Sequence, residues 1–296
     1  MINVIFLQEK DMESKGLALV TGADGGMGRI HVRELAKAGY EVIMAVIDED
    51  AARPVMEEIQ QETNGTLHLM AVDLSNLADI VRFANEVKSR FPSLQVLLNN
   101  AGVLPSKPKK SVNNIELTMA VNYLGHYTLT NLLHPIMGDG TRIVSMISLS
   151  YFLGKITPEL FKPKTEREYN RFNAYGSSKL ALYYFMLDAS EAWKKEGICF
   201  NVSDPFIVST NIIRMDNVVV DKLCDWIFRP LINTPEQGSA TMMAAAIDPK
   251  YQGVTGMIFK NRKVAKHKKR FYNNMEQRQL LRTLTDQILA DNHIQL

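Results

Sequence analysis

Tyr175 and Lys179 are the side chains of this chain whose types and spacing could do chemistry most directly. Residues four apart on a helix share one face, so the ammonium group would lie beside the phenol and lower a pKa that starts near ~10. The pair would then exchange a proton near neutral pH. Interconversion of an alcohol and a carbonyl needs such a group, because a proton moves on oxygen while hydride moves on carbon. A chance pair on a surface helix is the alternative.

A glycine-rich turn near the N-terminus is the second candidate for chemistry. The apolar run at 16–21 predicts a buried strand, and the helical pattern after the turn ends at Gly39. Between them, Gly22, Gly26 and Gly28 would let the backbone bend sharply and approach a pyrophosphate, which the free amides of a helix N-terminus attract. An ordinary strand-to-helix turn is the alternative, but the flanking strand and helix favour the nucleotide site.

Further motifs occur in order along nearly the whole chain. Residues 21–28 read TGADGGMG, residues 99–102 read NNAG, and Asn122 and Ser148 precede the Tyr175 pair. The set resembles the short-chain dehydrogenase/reductase family, with its TGxxxGxG turn, its NNAG segment and its catalytic Asn, Ser, Tyr and Lys. Retinol-dehydrogenase-like members are the most similar, in the stretches 121–130, 175–181, 234–241 and 253–256.

The resemblance implies a role for each residue of a catalytic tetrad. Tyr175 would be the general acid in reduction and the general base in oxidation, while Lys179 would favour the phenolate and bind the nicotinamide ribose. Ser148 would hold the substrate oxygen and steady the charge that develops there. Asn122 would organise a water that links the lysine to solvent. A strand-end hydroxyl bonded to backbone is the alternative for Ser148, and two other serines compete with it, namely Ser145 and Ser150.

An NAD or NADP cofactor and a small-molecule alcohol or ketone substrate follow from the same resemblance. Phe206 replaces the glycine usual after Pro205, which leaves the shape of that loop open, and Asp73 could instead cap the helix that follows it. The residues implied to bind the dinucleotide are Gly22, Gly26, Met27, Gly28, Asp48, Asp73, Leu74, Asn100, Gly102, Tyr175, Lys179, Pro205, Val208 and Thr210.

The choice between NAD and NADP depends on the end of the second strand. A carboxylate there would bind the ribose 2′-hydroxyl of NAD, whereas an arginine would accept the phosphate of NADP. Val46 and Ile47 occupy these positions, so neither signal is present. The acidic run at 48–50 disfavours a phosphate and slightly favours NAD, although Arg29 and Arg53 could still reach in.

Alternating strand and helix patterns, together with the family resemblance, predict an α/β, single-domain Rossmann fold. We expect a doubly wound parallel sheet of about seven strands with helices on both faces. An N-terminal extension at 1–15 would precede the domain at 16–260, and a basic, helical and loosely attached tail would follow at 261–296. The candidate strands are 17–21, 41–46, 66–72, 94–99, 142–147, 198–203 and 256–259.

Composition is that of an ordinary enzyme, with 46% hydrophobic and 22% charged residues in a chain of 296. The net charge of +2 gives no reason to expect a nucleic-acid partner. Cys199 and Cys224 have no spacing typical of a metal site or a disulfide, so we expect no metal and reduced thiols. The basic cluster at 266–270, with Arg262 and Lys263 before it, could contact anionic lipid or could be a solvated face.

No membrane span is expected, because no apolar run approaches the ~18–20 residues that cross a bilayer. Residues 1–6 are also too short for the core of a signal peptide. We therefore expect a cytoplasmic protein, unlike the many retinol-dehydrogenase-like members that carry a membrane anchor.

The substrate would be lipophilic if two variable segments cover it. The 27 positions from Ser148 to Tyr175 leave room for a flap at 149–173 rich in Tyr, Phe, Leu and Lys, and a second cover is expected at 211–233. Apolar walls of this kind suit a steroid, a retinoid or a fatty compound. Alternatively, these residues pack on each other or on a second subunit.

Two other functions and the assembly state stay open. A non-catalytic dinucleotide-binding regulatory protein would use the same turn, and a nucleotide-sugar epimerase would share the spacing of Gly22, Gly25 and Gly28. A homodimer or homotetramer could form through the helix that carries Tyr175. Five apolar residues there suit either pairing or core packing: Leu180, Leu182, Tyr184, Phe185 and Leu187.

Overall fold

Eight strands form one sheet at the centre of the computed structural model, which describes residues 14–205 and 234–296. Their order across the sheet is β3-β2-β1-β4-β5-β6-β7-β8. In chain order the strands are β1 (Leu17–Thr21), β2 (Glu41–Val46), β3 (Leu67–Ala71), β4 (Val96–Asn99), β5 (Arg142–Met146), β6 (Cys199–Asp204), β7 (Ile258–Lys260) and β8 (Lys263–Ala265).

The first seven strands are parallel, as the sequence predicts, and β8 adds an antiparallel edge strand that the sequence analysis missed. A two-residue turn joins β7 to β8, with φ of 49° at Asn261 and 61° at Arg262. Positive φ at both central residues is typical of the tight hairpin turn that matches strand twist. The sequence signal is weak because an arginine occupies a position where glycine is usual.

Helices cover both faces of the sheet and confirm the doubly wound Rossmann architecture. A π-helical stretch, Ala120–Gly125, connects α4 to α5, and a 3₁₀ turn at Leu149–Leu153 follows β5. The helices are α1 (Gly26–Lys37), α2 (Glu49–Thr63), α3 (Leu77–Arg90), α4 (Leu117–Met119), α5 (His126–Leu133), α6 (Arg171–Ala192), α7 (Pro235–Ile247), α8 (Lys269–Tyr272) and α9 (Met275–Asp291).

Two hydrophobic clusters fill the spaces between the sheet and its helices. Successive strand residues point to opposite faces, so Leu19 joins the cluster under α3, α5 and α6, while Val20 joins the cluster under α1, α2 and α7. The strands are continuous apolar runs because both of their faces are buried. All five apolar residues of α6 that suited either pairing or packing lie in the first cluster, so they belong to the core.

The C-terminal segment is part of this core and not the loosely attached tail that the sequence suggested. Leu281 and Leu289 of α9 are buried in the first cluster, and the Tyr123 hydroxyl lies 2.9 Å from Thr285 Oγ1. Arg278 of α9 forms an ion pair with Asp188 of α6. Within residues 14–205 and 234–296, no helix is long and apolar enough to cross a membrane.

Candidate active site

A cavity of about 610 Å³ lies at the carboxyl ends of β1, β2 and β4. In this strand order the winding direction reverses between β1 and β4, which is where ligands bind in open α/β sheets. The cavity brings together eight of the residues expected to bind the dinucleotide: Gly22, Gly26, Met27, Gly28, Asp73, Leu74, Asn100 and Gly102.

Two glycines of the turn are required by close backbone approach. Gly22 has a φ of 61°, which side chains rarely adopt, and a Cβ at Gly28 would lie 2.0 Å from the Gly22 carbonyl oxygen. The N-cap residue of α1, Gly25, offers no side-chain hydrogen bond to the first turn. The amides at the start of α1 therefore face the cavity without a side-chain cap, as an anion site at a helix N-terminus requires.

Thr21 joins the glycine turn to the segment after β4. Its Oγ1 accepts hydrogen bonds from the backbone N–H groups of Asn100, at 2.9 Å, and Ala101, at 3.0 Å. The Asn100 side chain donates back to the Thr21 carbonyl at 2.8 Å. Asn100 thus lines the cavity and also fixes the relative position of the two strand ends.

His126 is a buried residue of this network that sequence reasoning missed. Its Nδ1 lies 3.1 Å from the Asn122 carbonyl oxygen, an acceptor only, so Nδ1 carries the proton and donates. Nε2 is then an acceptor for the Thr21 hydroxyl at 3.0 Å. Burial lowers the pKa of His126 to about 4, which keeps the ring neutral in this arrangement at neutral pH. His126 thereby connects the glycine turn to the π-helical stretch.

Asn122 lies within that π-helical stretch and is fully buried. Its amide nitrogen donates to the Val103 carbonyl at 3.0 Å and to Ser178 Oγ at 3.2 Å, while Oδ1 accepts from the Val103 N–H at 2.7 Å. Both donors of the side chain are occupied, so the water-organising role expected for Asn122 would fall to its oxygen atoms. π-Helical turns inside α-helices occur frequently at functional sites.

Lys179 is 1% exposed and extends from α6 under the end of β5. Its Nζ donates to the Met146 carbonyl at 2.8 Å and lies 5.3 Å from the centre of the Tyr175 ring. Burial lowers the pKa of Lys179 to about 7. A Cβ on Gly102 would lie 3.7 Å from Lys179 Nζ and 3.5 Å from Asn122 Oδ1, so the cavity reaches these two side chains through Gly102.

The pKa of Tyr175 is shifted in the direction opposite to the one expected from sequence. Burial raises the pKa of Tyr175 to about 12, and the negative charge of Asp204 adds to the effect. The expectation of a phenol made acidic by its neighbour was wrong because Lys179 directs its ammonium group to the Met146 carbonyl and is itself desolvated. Asp204, the last residue of β6, carried no motif and was also missed.

Ser148 follows β5 and caps the 3₁₀ turn, where its Oγ accepts a hydrogen bond from the Ser150 N–H at 3.3 Å. The competing Ser145 is committed elsewhere, because its Oγ accepts from Asn99 Nδ2 at 3.1 Å inside the sheet. The turn is pressed against α6 beside Tyr175, since a Cβ on Gly176 would lie 2.6 Å from the Ser150 carbonyl oxygen. Ser148 is partly exposed and adjacent to the tyrosine helix.

Comparison with known proteins identifies the family. The model for the short chain dehydrogenase family matches residues 16–159. Human polyprenol dehydrogenase is 31% identical over 276 residues, which cover 89% of this chain and 82% of that protein. The chain belongs to the short-chain dehydrogenase/reductase family. Mouse retinol dehydrogenase 14 is 32% identical over 262 residues, which cover 81% of this chain and 76% of that protein. This member of the family is therefore an oxidoreductase similar to retinol dehydrogenases.

Solved structures confirm the fold of this family. A protein from Mycobacterium paratuberculosis has a TM-score of 0.69 at 24% identity and covers 93% of each chain. A short-chain dehydrogenase from Shigella flexneri, complexed with NADP, has a TM-score of 0.65 at 21% identity and covers 86% of this chain and 100% of its own. At these sequence identities, both similarities show the fold alone.

The part of the cavity at the end of β2 and in the loops around it carries acidic and apolar side chains. Val46 and Ile47 line it, with Asp24 and Asp73, whereas Asp48 does not and instead caps α2 by accepting from the Ala51 N–H at 3.1 Å. The two arginines considered for a phosphate are already paired, Arg29 with Glu58 at 3.3 Å and Arg53 with Asp50 at 3.7 Å.

Asp73 lines the cavity and is not the cap of α3, because Asn76 fills that position. The Asp73 carboxylate accepts a hydrogen bond from the Ser75 N–H at 2.8 Å, which fixes a turn before the helix. Pro205 is buried after β6. Val208, Thr210 and the expected cover at 211–233 lie outside the described residues.

Most residues of the flap at 149–173 are exposed, but a few of them are buried in the core. Tyr151, Ile156 and Phe161 are buried in the first cluster, whereas Leu153 and Phe172 are 59% and 45% exposed. A separate cavity of about 320 Å³ lies beneath the flap and has a mixed polar and apolar lining. No group of three His, Cys, Asp or Glu side chains in the described part of the chain could hold a metal ion.

Proposed function

We propose that this dehydrogenase interconverts a lipophilic alcohol and its carbonyl with NAD or NADP, using Tyr175 as the general acid and base. The observation that carries the proposal is the position of Gly102. Gly102 lines the cavity of about 610 Å³, and a Cβ built on it would lie 3.5 Å from Asn122 Oδ1 and 3.7 Å from Lys179 Nζ. A dinucleotide bound at the glycine turn would therefore extend to Asn122 and Lys179, two residues of the catalytic tetrad.

The residues of the cavity fit a dinucleotide. A Cβ is disfavoured at Gly22 by its φ of 61° and at Gly28 by the Gly22 carbonyl oxygen, and the uncapped amides of α1 suit a pyrophosphate. A bound oxidised cofactor would supply a hydride acceptor and a positive charge. Asn122 and His126 would hold the floor of the site through their bonds to Val103 and Thr21.

Proton movement would run between Tyr175 and Lys179. In oxidation the Tyr175 oxygen takes the hydroxyl proton of the substrate, and in reduction it returns a proton to the carbonyl oxygen. A pKa near 7 lets Lys179 both carry and release a proton at neutral pH. Ser148 would donate a hydrogen bond to the substrate oxygen and steady its developing charge.

A lipophilic alcohol is supported as the substrate by two relatives named for polyprenol and retinol. Exposed Leu153 and Phe172 at the flap offer apolar surface to such a chain. A direct test measures cofactor reduction with all-trans-retinol, geranylgeraniol and a small polar alcohol, each with NAD and with NADP. We expect turnover of an apolar alcohol that Tyr175→Phe removes. Binding of cofactor without turnover of any alcohol would favour the regulatory alternative.

Cofactor preference is proposed to lean towards NAD. The acidic residues Asp24 and Asp73 line the cavity, while Arg29 and Arg53 are held in ion pairs. Parallel thermal-shift titrations with NAD and NADP measure this without a substrate, because stability rises with the logarithm of ligand over dissociation constant. A larger shift with NADP would reverse the assignment.

A further inference from the structure

The hairpin of β7 and β8 and the helix that follows form a basic surface, here called the basic edge and defined as residues 260–275. No acidic residue occurs between 256 and 275. Six cations of this segment are exposed: Arg262, Lys263, Lys266, Lys268, Lys269 and Arg270. The basic edge is therefore a dense positive surface on a chain of low net charge.

Among the described residues, one cation of the basic edge lies near an acid, namely Lys260, whose Nζ is 4.0 Å from Asp204 Oδ2. Elsewhere on the surface, Arg33 and Arg82 are examples of guanidinium groups that form ion pairs with carboxylates. None of the six exposed cations of the basic edge forms an ion pair with an acid in residues 14–205 or 234–296.

The resulting charge distribution is strongly asymmetric. With Lys260, the segment carries seven positive charges, while the whole chain has a net charge of +2, so all other residues together carry −5. A separation of this kind orients a protein in the field of an anionic surface, with the basic edge towards it.

Exposed apolar side chains accompany the cations. Val264 is 42% exposed, Tyr272 45% and Met275 56%, all within the basic edge. Cations with neighbouring aliphatic and aromatic groups suit the interface of a bilayer, where lipid headgroups meet acyl chains. Val264 and Met275 have neither the aromatic ring on which single-stranded bases stack nor a group that forms strong hydrogen bonds with base edges.

The basic edge is also fixed rigidly to the candidate active site. Phe271 is buried, and the centre of its ring lies 5.3 Å from that of Tyr151 and 5.6 Å from that of Phe152. Tyr151 and Phe152 belong to the 3₁₀ turn that begins after Ser148. The Tyr183 hydroxyl of α6 lies 2.8 Å from His267 Nδ1. A surface that met the basic edge would therefore lie next to the flap.

We propose that the basic edge docks on an anionic phospholipid bilayer and presents the flap to the lipid. This inference goes beyond the proposed function and stands on charge and exposure alone. One Lys or Arg near an anionic membrane strengthens partition by about fivefold at physiological salt. Replacing two lysines by glutamates should therefore weaken binding by at least about 25-fold.

Vesicle sedimentation of the full chain tests the proposal. The probes are vesicles of phosphatidylcholine alone and vesicles that also contain phosphatidylserine. The test variant is Lys268→Glu with Lys269→Glu. Its matched control is Lys194→Glu with Lys195→Glu, another adjacent pair of exposed lysines that lies outside the basic edge. Thermal unfolding of each variant checks that the fold is intact.

We expect binding to the phosphatidylserine vesicles only, its release at high salt, and its loss in the 268/269 variant but not in the 194/195 variant. Met275→Ser should weaken binding at unchanged charge, because it removes an apolar contact with the bilayer. Absence of binding to the anionic vesicles, or equal loss in the two double variants, would overturn the proposal. Tighter binding to single-stranded RNA than to vesicles would also overturn it and assign the basic edge to nucleic acid.

Discussion

Replacing Asp204 by Asn should lower the pKa of Tyr175. Asp204 is 2% exposed and follows Ser203, whose carbonyl accepts a hydrogen bond from the Ile147 N–H at 2.9 Å. In the parallel register Met146 is paired with Ser203, so Asp204 lies opposite Ile147, one residue before Ser148. Its negative charge opposes ionisation of the phenol, and an amide of the same shape does not.

The size of the effect is bounded by the structure. Burial and the Asp204 carboxylate together raise the pKa of Tyr175 from 10.0 to about 12, and burial is the larger cause. The carboxylate therefore contributes at most about one pH unit. At a pH below the midpoint, the phenolate fraction in Asp204→Asn should rise by no more than about tenfold.

The pH dependence of alcohol oxidation measures this shift. In the oxidative direction Tyr175 must be deprotonated, so the rising limb of the kcat profile should move to lower pH in Asp204→Asn. NMR of protein labelled at the tyrosine Cζ reports the same titration without a substrate, with Tyr175→Phe to assign the signal. Tyr151→Phe is the control, because it removes a neighbouring phenol at unchanged charge. If the rising limb of the kcat profile stays in place or moves to higher pH in folded Asp204→Asn, the Asp204 carboxylate does not raise the pKa of Tyr175.

Two further predictions concern the turn and the buried histidines. Gly28→Ala places a Cβ 2.0 Å from the Gly22 carbonyl oxygen, so it should lower the unfolding temperature of the ligand-free protein and abolish the thermal shift with NAD and NADP, whereas a Cβ on Gly26 meets nothing within 4 Å, so Gly26→Ala should leave the unfolding temperature of the ligand-free protein unchanged. Equal behaviour of the two variants would contradict the turn geometry. Burial lowers the pKa of His126 to about 4 and of His31 to about 3, both from 6.5. Below pH 6.5 both histidines take up a proton in the unfolded chain, whereas in the folded protein they stay neutral until the pH nears their lowered pKa values. Each histidine therefore decreases the free energy of unfolding by about 3 kcal/mol as the pH falls from 6.5 to 4. The unfolding temperature should drop over this range, and less so in His31→Leu; an equal drop in that variant would exclude His31 as a cause.

Much of the fold could be predicted from the sequence because buried parallel strands are continuous apolar runs. All seven parallel strands were predicted within about two residues of their bounds, whereas the Lys-Val-Ala strand β8 has no such run. The glycines of the turn were found because their conformation leaves few other residue types possible.

The contacts of the site could not be predicted in the same way. His126 acquires a role only through Thr21, which lies 105 positions away in the chain. The charge of Asp204 matters only because the sheet brings the end of β6 beside β5. The direction of the shift in the pKa of Tyr175 depends on burial and on the orientation of the Lys179 side chain. A spacing of four residues predicts neither of these.

The central claim is that the Tyr175 oxygen carries the proton while the dinucleotide takes or gives hydride. The rate of alcohol oxidation by Tyr175→Phe, at saturating cofactor and with the thermal shift by that cofactor retained, tests it most directly. The account predicts a rate reduced by about 10²- to 10⁴-fold. A variant that binds the cofactor and oxidises the alcohol at the unchanged rate would contradict it.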